Sequence, residues 1–163
     1  MKTLDYLGLD EHKVKNVVDN LAILLADLQV FYSNLRGLHW NVKGHQFIIL
    51  HAKYEELYND VASKVDEVAE RILQLGSVAE HRYSAYLHSS EIEEIGEVNC
   101  RKEGLDILLD TFKVLISRER AVVKAAADAG DDTTIAIITD FLRSQEKTVW
   151  MLNAMKDNPA PKQ

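Results

Sequence analysis

The architecture of this chain is decided by residues 39–71, which read HWNVKGHQFIILHAKYEELYNDVASKVDEVAER. His39 opens the stretch, and His51 follows twelve residues later. In one unbroken helix the two imidazoles would lie about 18 Å apart, at ~1.5 Å per residue, which is too far to bind the same metal ion. Residues 41–44, however, include an asparagine and a glycine, both of which favour turns. We therefore predict a tight turn between two helices that brings His39 to face His51.

Three carboxylates extend this pattern along the predicted second helix. Glu55 lies four residues beyond His51 and shares its helix face. Asp66 and Glu70 also share a face with each other, but they begin about 22 Å farther along the helix and cannot reach the histidines of their own chain. A second copy packed antiparallel across a two-fold axis would bring them there and create two equivalent sites. A mixture of imidazoles and carboxylates suits iron, zinc or manganese.

A simpler interpretation explains the same residues without a metal ion. The acids can form a solvated helix face, and His39 can be a buried histidine with a satisfied hydrogen bond. Spacing alone leaves both interpretations open. The sequence contains no Glu-x-x-His motif, which di-iron sites inside a single four-helix bundle use. An iron site enclosed within one chain is therefore disfavoured.

Apolar residues recur at intervals of three and four over most of the chain, as in amphipathic helices. They predict an all-α protein with four long helices, at about residues 10–38, 45–75, 100–127 and 133–156. Asp10 is the expected N-cap of the first helix, Gly76 is placed to end the second, and Asn158-Pro159 is placed to end the fourth.

Residues 77–99 form a long connection between the second and third helices. Ser90 and Glu93 have the spacing of a capping box, which predicts a short helix starting there. A connection of this length allows the chain to cross along the bundle before the third helix begins.

The composition sets limits on the class of protein. The 163 residues are expected to form a single domain, with short tails at residues 1–9 and 157–163. Cys100 is the one cysteine, so a disulfide within the chain is excluded and a reducing cytoplasm is expected. No run of about eighteen apolar residues indicates a transmembrane helix, and the first residues lack an apolar signal core, so no membrane partner is expected.

The stretch around these histidines closely resembles the signature of the Dps-like mini-ferritins, the iron-storing DNA-protection proteins of starved bacteria. The matching positions are His39-Trp40-Asn41-Val42-Lys43-Gly44, Phe47, Leu50-His51, Glu55, Tyr58, Asp66 and Ala69-Glu70-Arg71-Ile72. The resemblance implies a ferritin-like four-helix bundle, with a long crossover that carries a short helix between the second and third helices. It also implies a homo-oligomer, a hollow dodecamer in this family.

The resemblance further implies a ferroxidase site at a two-fold interface. His39 and His51 would bind iron from one subunit, and Asp66 and Glu70 from its neighbour. Glu55 matches an acidic position at or near the site. In the family, such a site oxidises Fe²⁺ to Fe³⁺, preferably with hydrogen peroxide, and the ferric product is stored as mineral inside the shell.

Three aspartates lie near the predicted start of the fourth helix. Asp128, Asp131 and Asp132 could line an acidic iron-entry pore where three subunits meet, or they could simply cap a helix. Asp132 matches a family pore position, whereas Ala136 falls where some relatives carry a further acid.

Some family members condense DNA through lysine-rich tails, and a DNA-condensing protein with incidental metal binding is the alternative function. Here acids accompany the few lysines near both ends, and the net charge is −7. Because polyanion binding needs clustered cations, we predict weak or no direct DNA binding. A cytoplasmic location is expected, and association with the nucleoid is left open. A helical oligomer without any metal is the third possibility.

Overall fold

A computed structural model describes residues 2–156, and this part of the chain is helical, without a β-strand. The helices are α1 (Thr3–Leu7), α2 (Glu11–Asn41), α3 (Phe47–Gln74), α4 (Tyr83–Ser89), α5 (Arg101–Ala129) and α6 (Asp132–Lys156). The long helices α2, α3, α5 and α6 form a four-helix bundle, in which α2 packs against both α3 and α5, and α5 packs against α6. The predicted all-α bundle is confirmed.

The core of the bundle is built around α2, because that helix contributes more buried residues than any other described helix. Its fully buried apolar residues repeat at helical spacing and include Leu21, Leu24, Leu28, Phe31 and Leu35. Phe31 meets Phe112 of α5 edge to face, with ring centroids 5.5 Å apart. Each such side chain contributes roughly 1.5–3 kcal/mol by leaving water.

The helix ends are fixed largely as the sequence indicates. Asp10 caps α2, since its Oδ1 accepts hydrogen bonds from the backbone N–H groups of His12 (2.8 Å) and Lys13 (3.3 Å). These two bonds also lower the pKa of Asp10. At the C-terminal end of α3, Gly76 adopts a φ of 80° and its N–H donates to the carbonyl of Leu73 (2.9 Å). A left-handed residue of this kind ends a helix at little cost only when it is glycine.

The short helix of the crossover lies earlier than the capping-box spacing predicted. It is α4, over residues 83–89, and residues 90–100 contain no helix. The Ser90 hydroxyl does not begin a helix. Instead, it accepts a hydrogen bond from the N–H of Ile92 and donates one to Asp27 of α2, both at 2.9 Å. The spacing of Ser90 and Glu93 therefore belongs to an extended segment anchored by a tertiary contact.

Two buried polar residues of α2 hold this extended segment in place. Asp27 accepts a hydrogen bond from the N–H of Glu91 (2.7 Å). Asn34, two helical turns later, donates to the carbonyl of Glu93 (2.9 Å) and accepts from the N–H of Ile95 (3.2 Å). The crossover is thus attached to the face of α2 as it passes along the bundle.

The N-terminal segment, predicted as a short tail, packs against the core of the bundle. It forms α1, whose Leu4 is buried, and Lys2 forms an ion pair with Glu11 at 2.7 Å. The predicted C-terminal tail and the Asn158-Pro159 helix stop lie outside the described residues. Among the helices that are described, none is long and apolar enough to cross a membrane.

Candidate metal centre

The turn predicted from residues 41–44 is present between α2 and α3. Asn41 is the last residue of α2, and Gly44 has a φ of 96°. The Asn41 side chain donates to the carbonyl of Gly37 (2.9 Å), and the N–H of Lys43 donates to the carbonyl of Asn99 (3.2 Å), which ties the turn to the end of the crossover. The turn folds α3 back along α2.

His39 and His51 meet as a consequence of this turn. Their rings are stacked, with centroids 3.7 Å apart and an interplanar angle of 21°. The Nδ1 atom of each ring is 2.8 Å from the main-chain carbonyl oxygen of the other histidine. Because a carbonyl oxygen can only accept, each Nδ1 must carry the hydrogen. A neutral ring then has its lone pair on Nε2, which is the atom that remains able to bind a metal ion.

Aromatic side chains enclose the histidine pair. Tyr58 contacts the His39 ring edge to face, with centroids 5.4 Å apart, and Phe47 stacks on His51 at 4.9 Å. His39 is buried and His51 is half-buried. Partial burial, followed by the nearby charge of Glu55, raises the pKa of Tyr58, so this tyrosine stays neutral beside His39.

The remaining predicted ligands are separated from the histidines within one chain. Asp66 and Glu70 lie exposed on α3, and neither takes part in an ion pair with another described residue. Within residues 2–156, no three His, Cys, Asp or Glu side chains are grouped so as to hold a metal ion. One chain therefore brings together His39 and His51, while Glu55 acts on the neighbouring Tyr58 and does not complete a group of three ligands with them. The contribution of Asp66 and Glu70 from a second copy stays a prediction.

Comparison with known proteins defines the family. The ferritin-like domain matches residues 18–159. A DNA protection during starvation protein from Porphyromonas gingivalis is 50% identical over 153 residues, which cover 94% of this chain and 96% of that relative. The chain belongs to the Dps-like mini-ferritins.

Solved structures support the same assignment of the fold. Dps from Vibrio cholerae O1 is described as a member of a broad superfamily of ferritin-like diiron-carboxylate proteins. It has a TM-score of 0.88 and 42% identity, covering 90% of this mini-ferritin and 92% of that chain. Antigen TpF1 from Treponema pallidum also has a TM-score of 0.88, at 35% identity, covering 91% and 96%. The predicted ferritin-like fold is confirmed.

The structure changes the assignment of one predicted pore residue of this mini-ferritin. Asp131 is 1% exposed. Its Oδ1 accepts hydrogen bonds from Arg71 (2.6 Å) and from the N–H of Thr134 (3.0 Å), and its Oδ2 accepts one from the Thr134 hydroxyl (2.5 Å). Asp131 therefore caps α6 and cannot line a pore, because its own chain buries it. Asp128 and Asp132 are exposed, and a pore that contains them stays a prediction.

Sequence reasoning missed several buried charged residues, of which Arg71 and Glu119 are examples. Arg71 is buried and also donates to the Thr134 hydroxyl (2.9 Å). Glu119 is completely buried, and Gln145 of α6 donates to it at 2.5 Å. Burial raises the pKa of Glu119 to about 8. The place of Arg71 in the family signature could have indicated a structural role. No local sequence signal indicated that Glu119 is buried, because its partner Gln145 lies on another helix.

Proposed function

We propose that this protein is a ferroxidase that oxidises Fe²⁺ to Fe³⁺, preferably with hydrogen peroxide, and stores the ferric product in a hollow dodecamer of identical chains in the cytoplasm. The observation that supports it best is the histidine pair. Two reciprocal hydrogen bonds at Nδ1 leave both Nε2 atoms able to bind a metal ion, in a chain of the mini-ferritin family.

The donor set fits iron as the substrate. Neutral imidazoles bind Fe²⁺ well, and carboxylates stabilise the harder Fe³⁺ ion, so a mixed set favours loss of an electron. In this proposal His39, His51 and Glu55 come from one copy, and Asp66 and Glu70 come from a second. The exposure of both acids on α3 is what a contribution to a neighbour requires.

The residues around the histidines have distinct roles in this reaction. The main-chain carbonyls fix the orientation of both imidazoles, and the rings of Phe47 and Tyr58 restrict access of water. Each peroxide molecule takes one electron from each of two Fe²⁺ ions and, with two protons, becomes two molecules of water. No hydroxyl radical is released when both electrons are delivered together. The exposed Asp128 and Asp132 would attract Fe²⁺ toward the shell.

One experiment tests the activity and the choice of oxidant. Metal-free protein is loaded with Fe²⁺ without oxygen, half an equivalent of hydrogen peroxide is added, and ferric absorbance is followed; the run is repeated with air. Fast and complete oxidation by peroxide, with slow oxidation by air, is expected. Equal or faster oxidation by air would indicate a storage ferritin that uses O₂. Rates no higher than those of free iron would reject the ferroxidase.

Protection of DNA, for which the relatives are named, is proposed to follow from this chemistry rather than from direct binding. Near the N-terminus, Lys2 and Lys15 form ion pairs with Glu11 (2.7 Å) and Asp19 (2.5 Å). These ion pairs, together with a net charge of −7, leave few positively charged side chains to bind the phosphates of DNA. A gel-shift assay at physiological salt is expected to show no complex. A shift that resists salt at neutral pH would support the DNA-condensing alternative.

A further inference from the structure

Arg36 occupies an unusual position beside the histidine pair. Its guanidinium lies over the rings of Tyr32 (5.5 Å) and Trp40 (4.6 Å), one helical turn away on either side. Arg36 is half-buried, whereas Trp40 is 63% exposed. No carboxylate within residues 2–156 forms an ion pair with Arg36. The aromatic rings therefore fix the position of the Arg36 guanidinium. The edge of this group, which carries the N–H donors, can still bind a partner outside the chain.

The exposed face of α3 carries the complementary charge. Asp66 and Glu70 lie one turn apart on that face, and the described part of the chain supplies no cation to either of them. In the two-copy site proposed above, they would join Glu55 of the other copy, so that three carboxylates lie close together. Without a metal ion their mutual repulsion would oppose assembly. A fixed cation at this interface would offset part of that repulsion.

The apolar residues of α3 specify how two copies can align. When two α3 helices pack antiparallel so that His51 faces Glu70, Ile48 of one copy faces Leu73 of the other. Ile48 is 75% exposed and Leu73 is 54% exposed in the single chain. Both large side chains would leave water in the same register that completes the metal site, which supports a second copy as the occupant of this face.

The same register locates the partner of Arg36. It places Glu55 opposite Asp66 of the second copy. Arg36 lies beside this part of α3, because Tyr32 contacts Tyr58 with ring centroids 6.1 Å apart and because the charge of Arg36 acts on the Tyr58 hydroxyl. The nearest carboxylate of the second copy is then Asp66.

We propose that Arg36 is a positioning residue that forms an ion pair with Asp66 of a second copy. The pair stabilises the metal-free interface and orients the Asp66 carboxylate before iron binds. This inference rests on the proposed two-copy site, but it concerns an interaction that exists without iron. It can therefore be tested separately from the ferroxidase reaction.

A charge-reversal cycle tests the pair in the metal-free protein. Arg36→Glu, Asp66→Arg and the double variant are compared with the original chain by sedimentation velocity at increasing urea, after treatment with a chelator. Each single reversal is expected to raise the dissociated fraction at least tenfold at a fixed urea concentration. The double variant is expected to recover most of the loss, although it lacks one iron ligand. Lys15→Glu, an equal charge change on the same helix, is expected to leave assembly unchanged.

Three results would reject the proposed ion pair. The single variants could assemble like the original chain, or the double variant could assemble no better than the single variants. In the third case, Lys15→Glu would dissociate as much as the single variants. Circular dichroism reports whether each variant is folded. Should Arg36→Glu fail to fold, Arg36→Gln and Arg36→Lys answer the same question, since only the lysine is expected to retain assembly. Recovery in the double variant, combined with absence of iron oxidation by the original chain, would reject the ferroxidase and keep the ion pair.

Discussion

Two main-chain carbonyls determine what the central histidines can do. Each imidazole donates from Nδ1 to the carbonyl of the other residue, so the two rings fix each other's tautomer and orientation. In the proposed iron site, this arrangement would prepare both Nε2 atoms before a metal ion arrives, and the ordering entropy would be lost during folding rather than during iron binding. It also couples the two histidines, because removal of one ring takes away the stacking contact that holds the other.

Replacement of one ligand should therefore abolish most of the activity without unfolding the chain. His51→Ala is expected to slow peroxide-driven iron oxidation at least about tenfold, because one ligand is lost and His39 loses its stacking partner. His51 is half-buried, so thermal unfolding followed by circular dichroism should change little. His12→Ala, an exposed histidine at the start of α2, serves as the control. Unchanged oxidation in folded His51→Ala would remove the histidine pair from the mechanism.

At the scale of helices, one glycine of α5 lies against the end of an aromatic side chain of α3. Tyr54 of α3 is buried, and burial raises its pKa to about 12. A Cβ atom added at Gly104 of α5 would lie 2.4 Å from the Tyr54 hydroxyl oxygen and 3.7 Å from a methyl group of Leu38. Gly104 thus makes room for a buried tyrosine that lies one turn beyond His51.

Gly104→Ala is expected to destabilise the bundle, because the Tyr54 ring is packed on all sides and cannot move away freely. Overpacking of this kind costs about 1–3 kcal/mol, which urea unfolding would measure. Gly37→Ala is the matched control: it is also a helical glycine, but nothing lies within 4 Å of its added Cβ. That substitution should be neutral or stabilise by up to about 1 kcal/mol. Equal effects of the two substitutions would contradict the packing argument.

The helices also show which parts of the structure the sequence could predict. Apolar spacing locates the four long helices, and local turn chemistry predicts Asp10 as a cap and the turn that joins the histidines. Prediction failed where a polar side chain has a partner on a distant helix. Ser90 has the spacing of a helix start but binds Asp27, 63 residues away. Asp131 resembles a surface acid but binds Arg71, 60 residues away, and neither partner can be inferred from local sequence.

At the scale of the whole molecule, the bundle contains an ionisable cluster that the proposed iron chemistry does not use. Glu119 of α5 accepts a hydrogen bond from Gln145, while its Oε2 and the Gln145 Oε1 lack hydrogen-bond partners in the described part of the chain. Lys64 of α3, which pairs with Asp60, also acts on Glu119. Burial dominates and keeps the pKa of Glu119 near 8. At neutral pH the group is therefore mostly protonated and can donate from Oε2.

This cluster should make the stability of the bundle depend on pH. An unfolded glutamate loses its proton near its ordinary pKa of 4.5, whereas folded Glu119 keeps it up to about pH 8. Between these values the unfolded state binds fewer protons, so stability falls as pH rises, by at most about 1.4 kcal/mol per pH unit. The contribution of protonated Glu119 to the free energy of unfolding has its full value below pH 4.5. Once Glu119 is ionised in both the folded and the unfolded state, this contribution no longer changes with pH.

Glu119→Gln removes the ionisation and keeps the shape of the side chain. Urea unfolding at a series of pH values is expected to show that this variant gains stability relative to the original chain as pH rises from 5 to 8. Glu146→Gln, which changes an exposed acid paired with Arg120, should follow the original chain instead. Parallel pH profiles for Glu119→Gln and the original chain would mean that Glu119 is already ionised in the folded bundle. Lys64 would then have to compensate its charge inside the core.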